Sequence, residues 1–315
     1  MNKLILGFLL FSSALIAQII SKSETPTFFI PEIFQDFPNV RDISISKNQQ
    51  EIYFTVEGFR KEFSFIAVVR FQNGNWGKVK VVSFSGKDKD LEPFLSPDNL
   101  KLYFVSNRPV SLNIPKIDMD IWVVERKSIA SKWSKPKNMG AVINTDKDEF
   151  YPSVTNSGNL YFTATYEDSK GLEDIYVSTF INGKYSKPVS LSTSVNSTTY
   201  EFNAFVSPNE DLILFTSYKR EGSFGGGDLY MSKKEDNGDW SEAKNLGSSI
   251  NSNKIDYCPF VNFKTNTLYF TSERSQQNKN FTKPMTIKEL LNHMNSRPNG
   301  MSRIYKVEEF SKLIN

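Results

Sequence analysis

Pro93-Phe-Leu-Ser-Pro97-Asp-Asn-Leu-Lys101-Leu-Tyr-Phe-Val105 reads as two short strands joined by a tight turn. The same phrase recurs four times in the 315 residues. Its other copies are Asp42–Ser46 with Glu51-Ile-Tyr-Phe-Thr55, Pro152–Thr155 with Asn159-Leu-Tyr-Phe-Thr163, Ala204–Pro208 with Leu212-Ile-Leu-Phe-Thr216, and Pro259–Asn262 with Thr267-Leu-Tyr-Phe-Thr271. The phenylalanines Phe54, Phe104, Phe162, Phe215 and Phe270 are spaced 50, 58, 53 and 55 residues apart, the period of a repeat array.

Each copy continues with a third strand: Phe65–Val69, Asp120–Val124, Asp174–Val177, Asp228–Met231 and Arg303–Lys306. A fourth element is expected to open at an aromatic residue, Trp76, Trp133, Tyr185 or Trp240. The second strand is apolar on both faces, Leu102 and Phe104 on one and Tyr103 on the other, so each sheet has to be sandwiched. Four-stranded sheets stacked around an axis satisfy that need and leave only short edges. The reading is an all-β, five-bladed β-propeller of four-stranded antiparallel blades, strands a to d. It forms one domain over 24–315, with blades at about 41–86, 90–145, 149–197, 201–252 and 256–310. The last blade lacks a fourth strand, and the unused stretch 27–34 is expected to supply it and close the ring.

A net charge of +3 with mixed signs gives no footprint for nucleic acid. Lys3, the apolar run Leu4–Ile16 and Ala17 read as a signal peptide over 1–17, so a periplasmic or secreted monomer with no transmembrane span in the mature chain is expected. The one cysteine, Cys258, excludes an internal disulfide and reads as a small buried hydrophobe.

The composite pattern (E/D)xxPxxSPDxxxLYFxS…R…DI(W/Y)…WSxPxNxG…IN(T/S), best kept over Asp90–Asn144 and Glu201–Asn251, resembles the WD40-like PD40 repeat of TolB-like proteins. The resemblance covers nearly the whole expected mature chain. It implies a non-enzymatic binding or scaffold module of the cell envelope, with a protein, peptide or glycan as partner.

In such a meander the b–c and d–a connections share one end of the ring, and the short a–b turns share the other. The b–c loops Arg108–Met119, Tyr166–Glu173, Ser217–Gly227 and Arg274–Ser302 differ in length, and loops that vary on a rigid frame are where binding resides. The candidate binding residues at that end are the recurrent acids Asp90, Glu149, Glu201 and Asp256, together with Arg108, Arg220, Phe224 and Arg274. The acids are expected near the axial mouth, either as a ring that binds a cation, an amine or a basic peptide, or as frame residues that accept backbone N–H bonds or pair with a basic neighbour. Arg108 and Asp120 are a possible pair within their blade. Within Arg274–Ser302, Thr286-Ile-Lys-Glu289 reads as a capping box, and Ile287, Leu290, Leu291 and Met294 fall on one helical face. That short inserted helix is expected either to pack across the rim or to dock a partner.

No cofactor or metal is expected. Ser223–Gly227 has no phosphate-loop lysine, and Asp88–Glu92 and Asp146–Glu149 lack the spacing of a calcium loop. The sole histidine, His293, lies in the inserted helix with no triad around it. The enzymatic alternative is a glycoside hydrolase using two carboxylates near the axis, drawn from Asp90, Glu149, Glu201 and Asp256 and separated by about 5–5.5 Å or 6.5–9.5 Å.

Overall fold

The computed structural model describes residues 25–111, 116–277 and 280–314. The expected signal peptide lies outside them. Among the described residues no helix is long and apolar enough to cross a membrane.

Five antiparallel sheets form the blades of a β-propeller. Their innermost strands a are Asn39–Ile45, Asp90–Leu95, Glu149–Val154, Tyr200–Val206 and Asp256–Asn262. Strands b (Glu51–Glu57, Lys101–Ser106, Leu160–Ala164, Leu212–Tyr218, Thr267–Ser272) pair with them on one side and with strands c on the other. Strands c are Ser64–Gln72, Asp120–Glu125, Asp174–Ser178, Asp228–Lys233 and Arg303–Glu308.

The repeated phenylalanines explain why the sheets stack. Phe54, Phe104, Phe162, Phe215 and Phe270 are all 0% exposed. Tyr53, Ile66 and Val68 of blade 1 share a core with Leu102, Phe104 and Trp122 of blade 2, so each blade's two apolar faces are covered by its neighbours. Burying one such ring stabilises the fold by about 1.5–3 kcal/mol.

Strand d is shorter and later than the sequence suggests. Lys80–Val81, Lys137–Asn138, Val189–Ser190 and Lys244–Asn245 each pair with strand c, while the aromatic residues mark the c–d connection. Trp76 and Tyr185 sit in two-residue hairpins with Phe71 and Phe180, and Trp133 lies between blades, its Nε1 donating to Tyr53 Oη at 3.2 Å. The indoles fill gaps between blades, so they occupy the turn rather than a ladder position.

The fifth blade takes its outer strand from the other end of the chain. Thr27 and Phe28 pair with Lys306 and Tyr305, and Phe28 stacks on Tyr305 at 4.7 Å. The expected strand 27–34 stops there. Ile30 turns to a left-handed φ of 42°, Pro31 opens a helical turn over Pro31–Phe34, and Phe34 drops onto Phe54 at 4.9 Å. Proline suits the first position of a helical turn and cannot donate to a ladder. This crossing ties blade 5 to blade 1.

Candidate functional site

The recurrent acids belong to the frame. Asp90, Glu149, Glu201 and Asp256 stand at the inner start of strand a and are each 0% exposed. Glu149 accepts from the backbone N–H and hydroxyl of Thr145, Glu201 from those of Ser197, and Asp256 from those of Ser252. Each carboxylate thus supplies the acceptor that a tight d–a loop needs. Burial pushes the Glu149 carboxyl up to about 7 against those hydrogen bonds.

The arginines complete the same clasp. Arg108 pairs with Asp90 at 2.5 Å and Arg274 with Asp256 at 2.8 Å. Arg108 also donates to the Phe84 carbonyl, Arg220 to that of Val195 and Arg274 to that of Ile250. Arg108 lies over the rings of Phe104 and Trp122, and Arg274 over those of Phe270 and Tyr305. In blade 3, Tyr166 fills this place, donating to Glu149 Oε1 at 2.8 Å and to the Ile143 carbonyl. Arg108 therefore pairs with Asp90 rather than with Asp120. Asp120 is held instead by Lys116 at 3.0 Å and by Asn138 at 2.6 Å.

Two residues beyond the acids, and two beyond Val40 in blade 1, every strand a carries a bulge. Register shifts there in all five blades, leaving two residues of strand a opposite one of strand b. The bulged residues are Asp42, Glu92, Tyr151, Asn203 and Cys258, with φ between 49° and 58°. Structurally equivalent and innermost, they are five different residue types, and here the ring loses its symmetry.

The bulged side chains meet at the axis in one buried network. Arg41 donates to Asp42 Oδ1 at 2.7 Å and to Glu92 Oε1 at 2.8 Å, and lies 5.1 Å from the Tyr257 ring centroid. Cys258 Sγ donates to Asp42 Oδ1 at 2.7 Å. Asn203 reaches Glu92 at 3.3 Å, and the Tyr151 hydroxyl donates to the Pro259 carbonyl at 3.1 Å. Burial pushes Glu92 up to about 8 against the pull of Arg41. Burial, and then the Asp42 charge, push the Cys258 thiol well up.

Threonines from the neighbouring b strands hold the bulges. Thr55 Oγ1 accepts from the Glu92 N–H, Thr163 Oγ1 from that of Asn203, and Thr271 Oγ1 from that of Asp42. Blade 2 has Val105 at this position, and the Tyr151 N–H donates instead to Glu92 Oε2 at 2.7 Å. Glu92 thereby supplies the acceptor that Val105 lacks.

The variable loops carry a different chemistry. Phe59 and Phe63 in blade 1, Val110 and Ile117 in blade 2, Leu172 in blade 3 and Phe224 in blade 4 are all more than a third exposed. In blade 5, Phe281, Ile287, Leu290, Leu291 and Met294 are exposed too. The helix forms as Ile287–Asn295 with its capping box in place and no buried residue, so its apolar face does not pack across the rim. A pocket of about 370 Å³ opens on this face around Phe150, edged by Asp146, Asp148 and Glu173. Burial and the Asp148 charge push the Glu173 carboxyl up. Among the described residues no group of three or more His, Cys, Asp or Glu side chains is set to hold a metal.

Sequence reading placed Arg108, Arg220, Arg274 and the four acids near this end of the ring, and the structure does bring each arginine to its d–a loop. It missed Arg41, Asp42, Glu92, Tyr151 and Asn203. Glu92, Tyr151 and Asn203 each follow a recurrent acid by two residues, but their side chains share no chemistry, and blade 1 has Val40 in the acid's place, so Arg41 and Asp42 carried no such signal.

No protein-family model matches the sequence, and no curated protein matches it. Solved structures with the same architecture include a GH62 hydrolase in complex with xylotriose, at 11% identity, covering 90% of this chain and 94% of that one, TM-score 0.53. The catalytic domain of a GH62 α-L-arabinofuranosidase from Coprinopsis cinerea is similar at 9% identity, over 91% and 94% of the two chains, TM-score 0.52. TolB from Acinetobacter baumannii is similar at 14% identity over 86% of this chain, TM-score 0.49; the chain spans about half the length of that protein, 54%. At such identities the likeness to the two GH62 structures is one of fold alone.

Proposed function

We propose that the chain is a non-enzymatic binding or scaffold propeller of the cell envelope, periplasmic or secreted, which docks a protein, peptide or glycan on its b–c and d–a face. The observation that carries this reading is the exposure of large apolar side chains on the b–c loops of all five blades. Exposed apolar groups gathered on one face mark an interaction surface. The resemblance of the repeat to PD40 modules of TolB-like proteins supports the envelope setting.

A glycoside hydrolase reading has its own observation, two axial carboxylates, Asp42 and Glu92, bridged by Arg41. Hydrolysis needs such a pair open to sugar and water. Asp42 is 1% and Glu92 4% exposed, and both are tied to the network that fills the axis, which favours the binding reading.

The test is affinity capture from an envelope extract, comparing wild type with a Phe59→Ser, Leu172→Ser, Phe224→Ser, Leu291→Ser variant. Wild type is expected to retain a partner that the variant loses at unchanged melting temperature. Equal retention by both, or turnover of aryl-glycosides abolished by Glu92→Gln, would overturn the reading.

A further inference from the structure

The opposite end of the axis holds a cavity of different character. A cup of about 390 Å³ is lined by residues from all five blades at the a–b turns. Phe94, Phe205 and Phe260, at the strand-a position two residues past the bulge, line its floor; Ser44 and Ser153 hold the same position in blades 1 and 3 and lie buried beneath it. The serines are engaged, Ser44 Oγ accepting from the Leu95 N–H and Ser153 Oγ from that of Val206, so the lining of the floor is aromatic. Phe205 is its centre, with ring centroids 6.3 Å from Phe94, 5.4 Å from Phe260 and 6.2 Å from Phe263. Phe263 stands on the rim and is 49% exposed.

The rim is charged on one side. Lys47 of blade 1 and Lys264 of blade 5 both line the cup, and those blades are neighbours in the closed ring. Both lysines are exposed, and among the described residues neither ammonium has an ion-pair partner. On either side of them, blade 2 presents Pro97 and blade 4 presents Pro208. The one acid lining the cup, Asp211, already accepts from the Ser207 hydroxyl.

A concave, mostly apolar pocket of a few hundred Å³ with a few convergent polar groups is the form of a small-molecule site. We propose that this cup binds a small apolar carboxylic acid, its hydrocarbon on Phe94, Phe205 and Phe260 and its carboxylate between Lys47 and Lys264. The polar network two residues up the same strands closes the cup from behind, so the ligand enters and leaves by the a–b face. This site is independent of the docking face, and either can fail without the other.

The test is calorimetric titration of the full chain with decanoate and, separately, with decanol. Wild type is expected to bind decanoate saturably at one site, and decanol more weakly. Lys47→Glu with Lys264→Glu is expected to weaken decanoate binding at least tenfold, about 1.4 kcal/mol. The melting temperature of that surface variant should be unchanged. A Phe59→Ser, Phe224→Ser variant on the other face should bind decanoate as wild type does. Absence of saturable binding, equal affinity for decanol, an unaffected lysine variant, or loss of binding in the Phe59/Phe224 variant would each overturn the proposal.

Discussion

Buried polar atoms make single residues in this propeller unusually legible. Thr55 and Thr216 occupy equivalent places on strand b and have opposite fates. Thr55 Oγ1 takes the Glu92 N–H at 3.0 Å, whereas Thr216 Oγ1 is buried without a hydrogen-bond partner among the described residues. Thr55→Val should therefore destabilise by about 1–3 kcal/mol, because it strands a buried donor. Thr216→Val should be neutral or stabilising, and urea denaturation of the two variants checks the contrast. Glu92 gives a pH signature. Its ordinary value of 4.5 rises to about 8 in the fold, so between those values the unfolded chain has released a proton that the native state keeps. That contribution is fully present below 4.5 and is lost as pH rises toward about 8. The urea midpoint of wild type should fall more steeply over this range than that of Glu92→Gln. Parallel slopes would mean that Glu92 titrates as it does in the unfolded chain.

At the scale of elements, repeated strands could be read from the sequence and bulges could not. Strand b announced itself by Leu-Tyr-Phe, because both of its faces touch a neighbouring blade and both had to be apolar. The acids of the d–a loops recurred for a similar reason, each closing a loop of one shape. The axial positions carry no such mark. A bulge breaks the alternation from which side-chain direction is inferred, and Asp42, Glu92, Tyr151, Asn203 and Cys258 share no chemistry that self-comparison would detect. None is glycine, although each holds a positive φ. The inserted helix shows the converse limit. Its capping box and apolar stripe were legible, but whether the stripe was covered depended on loop placement. Nine residues with no buried side chain make a marginal helix, and Ile287–Asn295 is held at its start by the Thr286–Glu289 capping box and at its end by Gln277, which donates to the His293 and Met294 carbonyls. Leu290→Ser with Leu291→Ser should leave the melting temperature unchanged. A fall of several degrees would show that the stripe is buried against the ring after all.

For the whole molecule, ring closure divides the chemistry by direction. Blade 5 borrows Thr27–Phe28, and the Asp42 N–H of blade 1 binds Thr271 of blade 5, so the first and last blades are joined both at the rim and at the axis. Within that circle, side chains that repeat build the frame, and side chains that differ fill the axis or stand on the loops. The period and the blade count were visible in the spacing of five phenylalanines, and the borrowed strand in the fourth strand missing from the last repeat, although only Thr27–Phe28 of the expected stretch pairs. Which end of the ring engages a partner is the claim most in need of a direct measurement. A photoreactive benzophenone residue in place of Leu172 or Phe224 would probe the b–c face, and one in place of Pro97 or Pro208 the a–b face, each irradiated in envelope extract. A discrete covalent adduct from Leu172 and Phe224, with none from Pro97 and Pro208, is the expected result. An adduct confined to Pro97 and Pro208, or none at either end, would contradict a docking face built from the b–c loops.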